Sequence, residues 1–274
     1  MAASIADIKK LRELTGAGLS ACKDALNETN GDFEAAKEII RKKGQAIAAK
    51  RSDRTAAEGY VLAGTKGNRA TLIALQCETD FVAKTDRFVN LAKAIYEVAE
   101  NEKPADIEAL RNMKIGNDVI SQLVTDNSGA TGEKLELNIV MSVEGESVFA
   151  YNHFGNKLGC IVAFNQPNVD AEVMKQVAMQ IAAMNPVAVK KEEVPADIIA
   201  EELKIAREKA IEAGKPENMI DRIAEGALNK YYKEYCLLDQ AYNVDPKISM
   251  AQYMDKASKG LTVTAFKRFN LNAE

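Results

Sequence analysis

The 274-residue chain has no tryptophan, a single histidine and only 6% aromatics. One histidine, His153, leaves no material for a multi-histidine metal site or active site. Sparse aromatics exclude a broad stacking platform for single-stranded nucleic acid. No charge sign dominates: 36 Lys+Arg stand against 40 Asp+Glu, a net of −4. A strong non-specific hold on nucleic-acid phosphates needs a positive surplus and is not expected. The four cysteines, Cys22, Cys77, Cys160 and Cys236, are scattered, with no CxxC pair. A zinc knuckle and a thioredoxin-type motif are therefore excluded, and free thiols in a reducing cytoplasm are expected. No apolar run approaches the roughly 20 residues of a membrane span. Met1–Lys10 lacks a charged stretch followed by an apolar one, so no secretory signal is expected. There is no Walker loop, no GxGxxG after a strand and no GxSxG. The expectation is a non-enzymatic binding protein, with no cofactor, no resident metal, no direct nucleic-acid partner and no membrane.

What is present is an ordinary globular balance, 47% apolar and 28% charged, enough for about two domains. The amino-terminal segment predicts three short helices. Ser4 caps the first, with Asp7 three residues on, and Gly16-Ala17-Gly18 ends it. Ser20 is the expected cap of the second, which stops at Asn30-Gly31. Asp32 caps the third, with Phe33, Ala36, Ile39 and Ile40 on one stripe and Gly44 as the expected stop. Lys50–Thr55 reads as a solvated linker. Residues 1–56 hold 11 basic and 8 acidic side chains, +3, which leaves −7 to the remainder.

Tyr60–Leu62 and Ala70–Cys77 flank Lys66-Gly67-Asn68 and predict a β-hairpin. A helix through Phe88, Leu91, Ala92, Ile95 and Ala99 follows. One or two short helices and a glycine-containing loop, Ser128–Gly132, are expected before Leu135. From there Leu135, Leu137, Ile139, Met141 and Val143 alternate strictly, the mark of a strand with one buried face. With Val148–Asn152 and Leu158–Phe164 it reads as a three-stranded meander, covered by a helix capped by Asp170. Ile199, Leu203, Ala206, Ala210 and Ala213, then Ile220, Ile223, Ala227, Tyr231 and Tyr235, form two heptad-like seams around Gly214-Lys215-Pro216. That is an antiparallel helical hairpin, read either as a handle for a partner or as a plain structural arm. Ser249 with Gln252 forms a capping box, and Leu261–Phe269 reads as a terminal strand. The fold class is α+β: a three-helix domain over 1–55, a core subdomain over 56–134, and a second over 135–274 with the hairpin inserted at about 196–235.

Glu78–Asp86 stands out because it joins an apolar strand to an amphipathic helix. Thr79 or Asp80 suits a helix start. Phe81, seven residues before Phe88, is either the first core residue of that helix or an apolar wedge displayed beside the charge of Asp80. His153 follows a strand end at a turn and by itself reads as a solvent-side histidine.

Three stretches resemble the translation elongation factor Ts family: Leu11–Leu19 with Cys22–Leu26 and Asn30-Gly31-Asp32; Cys77-Glu78-Thr79-Asp80-Phe81-Val82-Ala83; and Tyr151-Asn152-His153. The resemblance implies a ubiquitin-associated-like (UBA-like) three-helix domain, a core of two related antiparallel-sheet-plus-helix subdomains and an inserted antiparallel coiled coil. It implies guanine-nucleotide exchange on elongation factor Tu, in its GDP-bound and nucleotide-free forms. Thr79, Asp80, Phe81 and Val82 would dislodge the partner's Mg2+, with Phe81 as the wedge and Asp80 as the accompanying polar contact. Lys9, Arg12, Leu19, Ser20, Gly132 and His153 would be further contacts. Two departures accompany the match: the family's apolar-Gly contact pair is Thr131-Gly132 here, and some members carry a further carboxy-terminal helix. The alternatives are a UBA-like, coiled-coil adaptor without exchange activity, and an undetected hydrolase.

Overall fold

The computed structural model describes residues 3–272. Three helices come first: α1 (Ile5–Thr15), α2 (Leu19–Glu28) and α3 (Phe33–Lys50). They enclose a small core of Leu11, Cys22, Ala25, Leu26 and Ala36. Ser4 caps α1 by accepting from the Asp7 amide, and Asp32 caps α3 by accepting from those of Glu34 and Ala35. Two expectations fail here. Gly18, not Ser20, precedes α2, and α3 runs through Gly44 to Lys50.

Next come β1 (Glu58–Lys66), β2 (Arg69–Cys77), the one-turn α4 (Asp80–Ala83), α5 (Asp86–Glu102) and α6 (Ile107–Asn112). The short pair β3 (Lys114–Ile115) and β4 (Asp118–Val119) leads into α7 (Ile120–Thr131). The loop expected at Ser128–Gly132 is mostly helix, because Asn127, Ser128 and Thr131 belong to α7 and only Gly132 leaves it, with φ 72°. Then follow β5 (Leu135–Glu144), β6 (Ser147–Asn152), β7 (Leu158–Phe164) and α8 (Ala171–Met184). The chain closes with α9 (Ala196–Glu212), α10 (Glu217–Tyr235), α11 (Met250–Ala257) and β8 (Val263–Asn270).

The expected meander over 135–164 does not form. β5 pairs with β2, giving a sheet ordered β1-β2-β5, while β6 and β7 take β8 as their third strand. Strict alternation along β5 conceals a bulge. Ala74 pairs with Ile139 but Leu75 with Leu137, so Asn138 is the extra residue, and side chains beyond it switch faces. Leu135 and Leu137 therefore pack towards α5, whereas Ile139, Met141 and Val143 face the second sheet.

The core has three layers. Ile73, Leu75 and Cys77 meet Phe88, Ala92, Ile95 and Ala99 of α5. Val61, Ala63, Leu72 and Ala74 meet Ile161 and Ala163 between the sheets. Cys160, Val162 and Phe164 meet Val177, Ala178 and Ile181 of α8. Central strands β2 and β7 are buried on both faces, which explains their unbroken apolar runs. Each fully buried large side chain here contributes about 1.5–3 kcal/mol.

The α9–α10 pair is an antiparallel helical hairpin: Ile199 shares a cluster with Tyr231 at the base, and Arg207 Nε donates to Asp221 Oδ1 at 2.9 Å nearer the tip. Its buried seam residues are Ala206, Ala210 and Ala224. Ala224 thus takes the place expected of Ala227, which is exposed. All four cysteines are buried and unpaired. No described helix is long and apolar enough to cross a membrane.

The three-helix unit docks on α7 through backbone contact. A Cβ on Gly129 would lie 2.2 Å from the Gly44 Cα. Arg41 pairs with Asp126 at 3.6 Å across the same junction. Gly129→Ala should therefore force α3 and α7 apart and lower unfolding free energy by about 1–3 kcal/mol. Gly226→Ala, in exposed α10 where a Cβ meets nothing, should raise it by about 0.5–1 kcal/mol. Urea denaturation of both variants checks this; equal midpoints would mean that the helix contact tolerates a methyl group.

Candidate functional site

Cys77 ends β2, and the chain turns immediately into Thr79 and α4. Thr79 is the N-cap of α4, its Oγ1 accepting from the Val82 amide at 3.4 Å. The turn is held from outside by Glu133. Thr79 Oγ1 donates to Glu133 Oε1 at 2.6 Å, and the Thr79 amide donates to Glu133 Oε2 at 3.0 Å. Cys77 Sγ donates to the Thr79 carbonyl at 3.2 Å, and burial pushes this thiol up to about 12, so it is a packing and hydrogen-bonding group rather than a nucleophile. Glu78 accepts from the Lys134 amide at 2.6 Å and from Arg51 at 3.0 Å. The linker expected to be merely solvated thus supplies a clamp. The Lys134 amide, then Arg51, hold the Glu78 carboxyl below its ordinary value.

With four residues in one turn, α4 divides its side chains cleanly. Val82 and Ala83 join the core beneath α5. Phe81 points away and is 81% exposed, while Phe88, one turn into α5, is 2% exposed. This decides between the two readings of Phe81: it is displayed, and Phe88 is the core residue. Asp80 lies beside it, accepting from Lys84 Nζ at 2.6 Å. The Lys84 hydrogen bond lowers the Asp80 carboxyl and raises the Lys84 ammonium, so both stay charged at neutral pH. Thr85 then caps α5, accepting from the Phe88 amide and donating to the Val82 carbonyl at 2.8 Å.

The other expected contacts are joined to this turn by identifiable bridges. Gly132 adjoins Glu133, the residue that grips Thr79. Glu58 pairs in register with Cys77 and accepts from Lys157 Nζ at 2.9 Å. That ties the β6–β7 turn carrying His153 to the root of α4. His153 itself is exposed and its Nδ1 lies 2.9 Å from the Tyr151 hydroxyl. Arg87, in the first turn of α5, donates to the Thr15 carbonyl at 2.8 Å and to Asn127 Oδ1 at 2.6 Å. This brings the end of α1 beside α5, with Leu19 and Ser20 exposed just beyond. Lys9 and Arg12 are exposed on α1, and among the described residues no ion pair ties them to the core.

Sequence reasoning did not single out Glu133, Arg87 or Phe154. Glu133 and Arg87 act across 54 and 72 residues of chain, beyond any local pattern. Phe154 did leave a signal: an aromatic in a turn otherwise made of His153, Gly155, Asn156 and Lys157. It is 98% exposed. Among the described residues no group of His, Cys, Asp and Glu is arranged to hold a metal ion. A cleft of about 530 Å3 lies between the three-helix unit and α7, lined by charges of both signs including Arg41, Arg87 and Asp126. The arrangement around α4 is different in kind: a hydrogen-bonded turn that exposes an aromatic side chain beside an ion-paired carboxylate.

Comparisons with known proteins give the chain its relatives. A family profile described as Elongation factor TS matches residues 78–273. The chain is similar to Elongation factor Ts of Porphyromonas gingivalis, 54% identical, and to that of Azobacteroides pseudotrichonymphae, 50% identical. Elongation factor Ts of Bacteroides thetaiotaomicron is 42% identical, and in all three cases the whole of both chains is covered.

Two stability experiments follow from the turn. Phe81→Ala should leave unfolding free energy within about 0.5 kcal/mol of wild type, as surface substitutions do, whereas Phe88→Ala should remove about 3–5 kcal/mol. Glu78 has a depressed folded value, so the stability it lends is complete above the ordinary value of about 4.5 and disappears as pH falls through the lowered one. The stability gap between wild type and Glu78→Gln, measured by denaturant titration across pH, should be constant at neutral pH and close in that acid window. A gap that persists below it would show that the clamp does not depend on charge.

Proposed function

The chain belongs to the elongation factor Ts family and is a nucleotide exchange factor of translation elongation; from that premise we propose that its partner is elongation factor Tu and that Asp80 and Phe81 open the partner's nucleotide site by displacing Mg2+. The observation that carries this reading is the display of Phe81 on a turn fixed from both sides, by Glu133 at Thr79 and by Lys134 and Arg51 at Glu78.

The chemistry takes place in the partner. A bound Mg2+ bridges phosphate oxygens of the nucleotide, so moving its ligands weakens GDP binding. A factor that binds the nucleotide-free partner more tightly must weaken nucleotide binding by the same factor. GTP then rebinds and releases the factor by mass action. Burying Phe81 between helices of the partner returns about 1.5–3 kcal/mol against the distortion. Asp80 is already neutralised by Lys84, which suits an orienting contact rather than a substitute metal ligand. Thr79 and Val82 seat the pair, and Gly132 and His153 contact the same domain from either side.

The three helices form a UBA-like domain that adds contacts through Lys9, Arg12, Leu19 and Ser20. The α9–α10 hairpin is an antiparallel coiled coil. Each sheet with its covering helix, α5 or α8, is one of two related subdomains, divided in sequence at 56–134 and 135–274, with the strand over 135–144 lent to the first sheet. The factor works in the cytoplasm, as no catalyst of a covalent reaction and without binding nucleic acid itself.

Release of a fluorescent GDP from elongation factor Tu tests this. Wild type should accelerate release, and Phe81→Ala should lower the maximal rate on the order of tenfold, the equivalent of about 1.4 kcal/mol in barrier. Release unaffected by the wild-type protein would remove the exchange reading. Partner capture that does not fall as GDP rises would instead identify a passive adaptor.

A further inference from the structure

Phe154 is more exposed than Phe81, yet it sits on one of the most tightly held turns of the molecule. The Asn152 side chain accepts from the Ala63 amide and donates to the Ala63 carbonyl, both at 2.7 Å. The Asn156 carbonyl accepts from the Val61 amide at 2.7 Å, and its side chain donates to the Val61 carbonyl at 3.2 Å. Within the turn, the His153 amide donates to the Leu158 carbonyl and the Asn156 amide to the His153 carbonyl. Lys157 is joined to Glu58, and its carbonyl accepts from the Leu271 amide at 2.9 Å. A single exposed aromatic on a mobile loop would need no explanation. Here the backbone that carries the aromatic is fixed before any partner arrives, so binding need not order the loop, and that suits a pre-organised binding anchor.

Its position says which partner it faces. Glu58, which holds Lys157, is the register partner of Cys77, and Cys77 leads directly into Thr79–Phe81. The Phe154 turn, packed along the outer edge of β1, and α4, which follows the central strand β2, are therefore linked through Glu58 at the end of the sheet where β1 begins and β2 ends. We infer that Phe154 is a second aromatic anchor on the surface that carries Phe81, inserted into the same globular partner domain. This rests on the exchange reading above and extends it.

The two aromatics differ in what accompanies them. Phe81 has a carboxylate beside it. The turn of Phe154 has no free charge: Lys157 is held by Glu58, and His153 is engaged by Tyr151. On this inference the Phe154 contact is made equally in the GDP-bound and nucleotide-free complexes. Uniform binding of that kind sets affinity without changing the opening step.

The experiment titrates full-length wild type, Phe81→Ala, Phe154→Ala and Phe154→Leu against elongation factor Tu carrying a fluorescent GDP. Phe154→Ala should raise the concentration for half-maximal release about tenfold, as loss of a hot-spot aromatic does, with the plateau rate unchanged. Phe154→Leu should recover most of the affinity. Equal denaturation midpoints confirm that the variants are folded. A Phe154→Ala titration that overlays wild type, while Phe81→Ala is slow, overturns the anchor but leaves the exchange reading intact. A lowered plateau for Phe154→Ala overturns it too, by placing Phe154 in the opening step. Failure of wild type to accelerate release would remove the exchange reading on which the anchor depends.

Discussion

The outer edge of β1 is the constraint around which the molecule is organised. A strand edge leaves backbone N–H and C=O groups open, and such groups must find partners when they are covered. Here Val61 and Ala63 are buried, and their amides and carbonyls are satisfied by Asn152 and Asn156 of the other sheet. The asparagine side chain of residue 152 imitates a strand neighbour, donating and accepting at one residue. This closes the first sheet without a fourth strand and fixes the second sheet's β6–β7 turn against it. Small side chains between the sheets, Ala63, Ala74 and Ala163, allow the close approach that brings the two sheets together. The placement of the β6–β7 turn relative to α4 follows from that junction, because Glu58 of β1 pairs with Cys77 of the strand that launches α4.

Rigidity at the α4 turn favours the proposed insertion energetically. An inserted side chain must distort its partner, and the return from burying it is a few kcal/mol at most. Ordering a loose loop at the same moment would consume much of that return, since each ordered backbone residue costs about 1–2 kcal/mol. The turn avoids this by being ordered beforehand. Glu133 fills the N-cap hydrogen bonds of Thr79, Glu78 is held by a backbone amide and an arginine, and Thr85 links α4 to α5. Lys84 keeps Asp80 charged yet locally neutralised, so approach to an anionic nucleotide site carries less repulsion than a bare carboxylate would bring.

The parts of this arrangement that were readable from sequence are those governed by local rules. Helix caps at Ser4, Asp32, Asp170 and Ser249, the hairpin break at Gly214-Lys215-Pro216 and the β1–β2 turn are all where short-range chemistry places them. The misreadings share one cause, which is contact between residues distant in the chain. Gly44 looked like a helix stop because glycine commonly ends helices, but its role is to let α3 touch Gly129. The alternation along β5 has the same period on either side of its bulge, so nothing local marks the change of face at Asn138. The meander was the economical reading of three neighbouring strands, and it is β2, distant in the chain, that takes β5 away from β6. At the site, the Thr79–Val82 stretch was legible as a display or a core start, and burial alone separated the two. Glu133, Arg87 and Phe154 were not chosen, because two act through distant partners and the third matters through its lack of any.

An exchange factor that acts on a nucleotide held by its partner places an unusual demand on its surface. It must be complementary to two forms of one partner, and the difference between its affinities for them is the whole of its effect on the nucleotide. Contacts common to both forms and contacts made only in the open form are then best carried by different residues, since a single residue cannot set residence and opening independently. The proposed distribution meets that requirement. A basic three-helix unit, +3 over residues 1–56, is positioned on the core by Arg87 and by the Gly44–Gly129 contact. A turn with an exposed aromatic and an ion-paired lysine is joined to Glu58, and an exposed aromatic beside an ion-paired carboxylate follows the strand with which Glu58 pairs. Because all are joined to the first sheet and the helices packed on it, strain imposed at Phe81 would be opposed by the other proposed contacts, and the proposed distortion falls on the partner instead of on this chain.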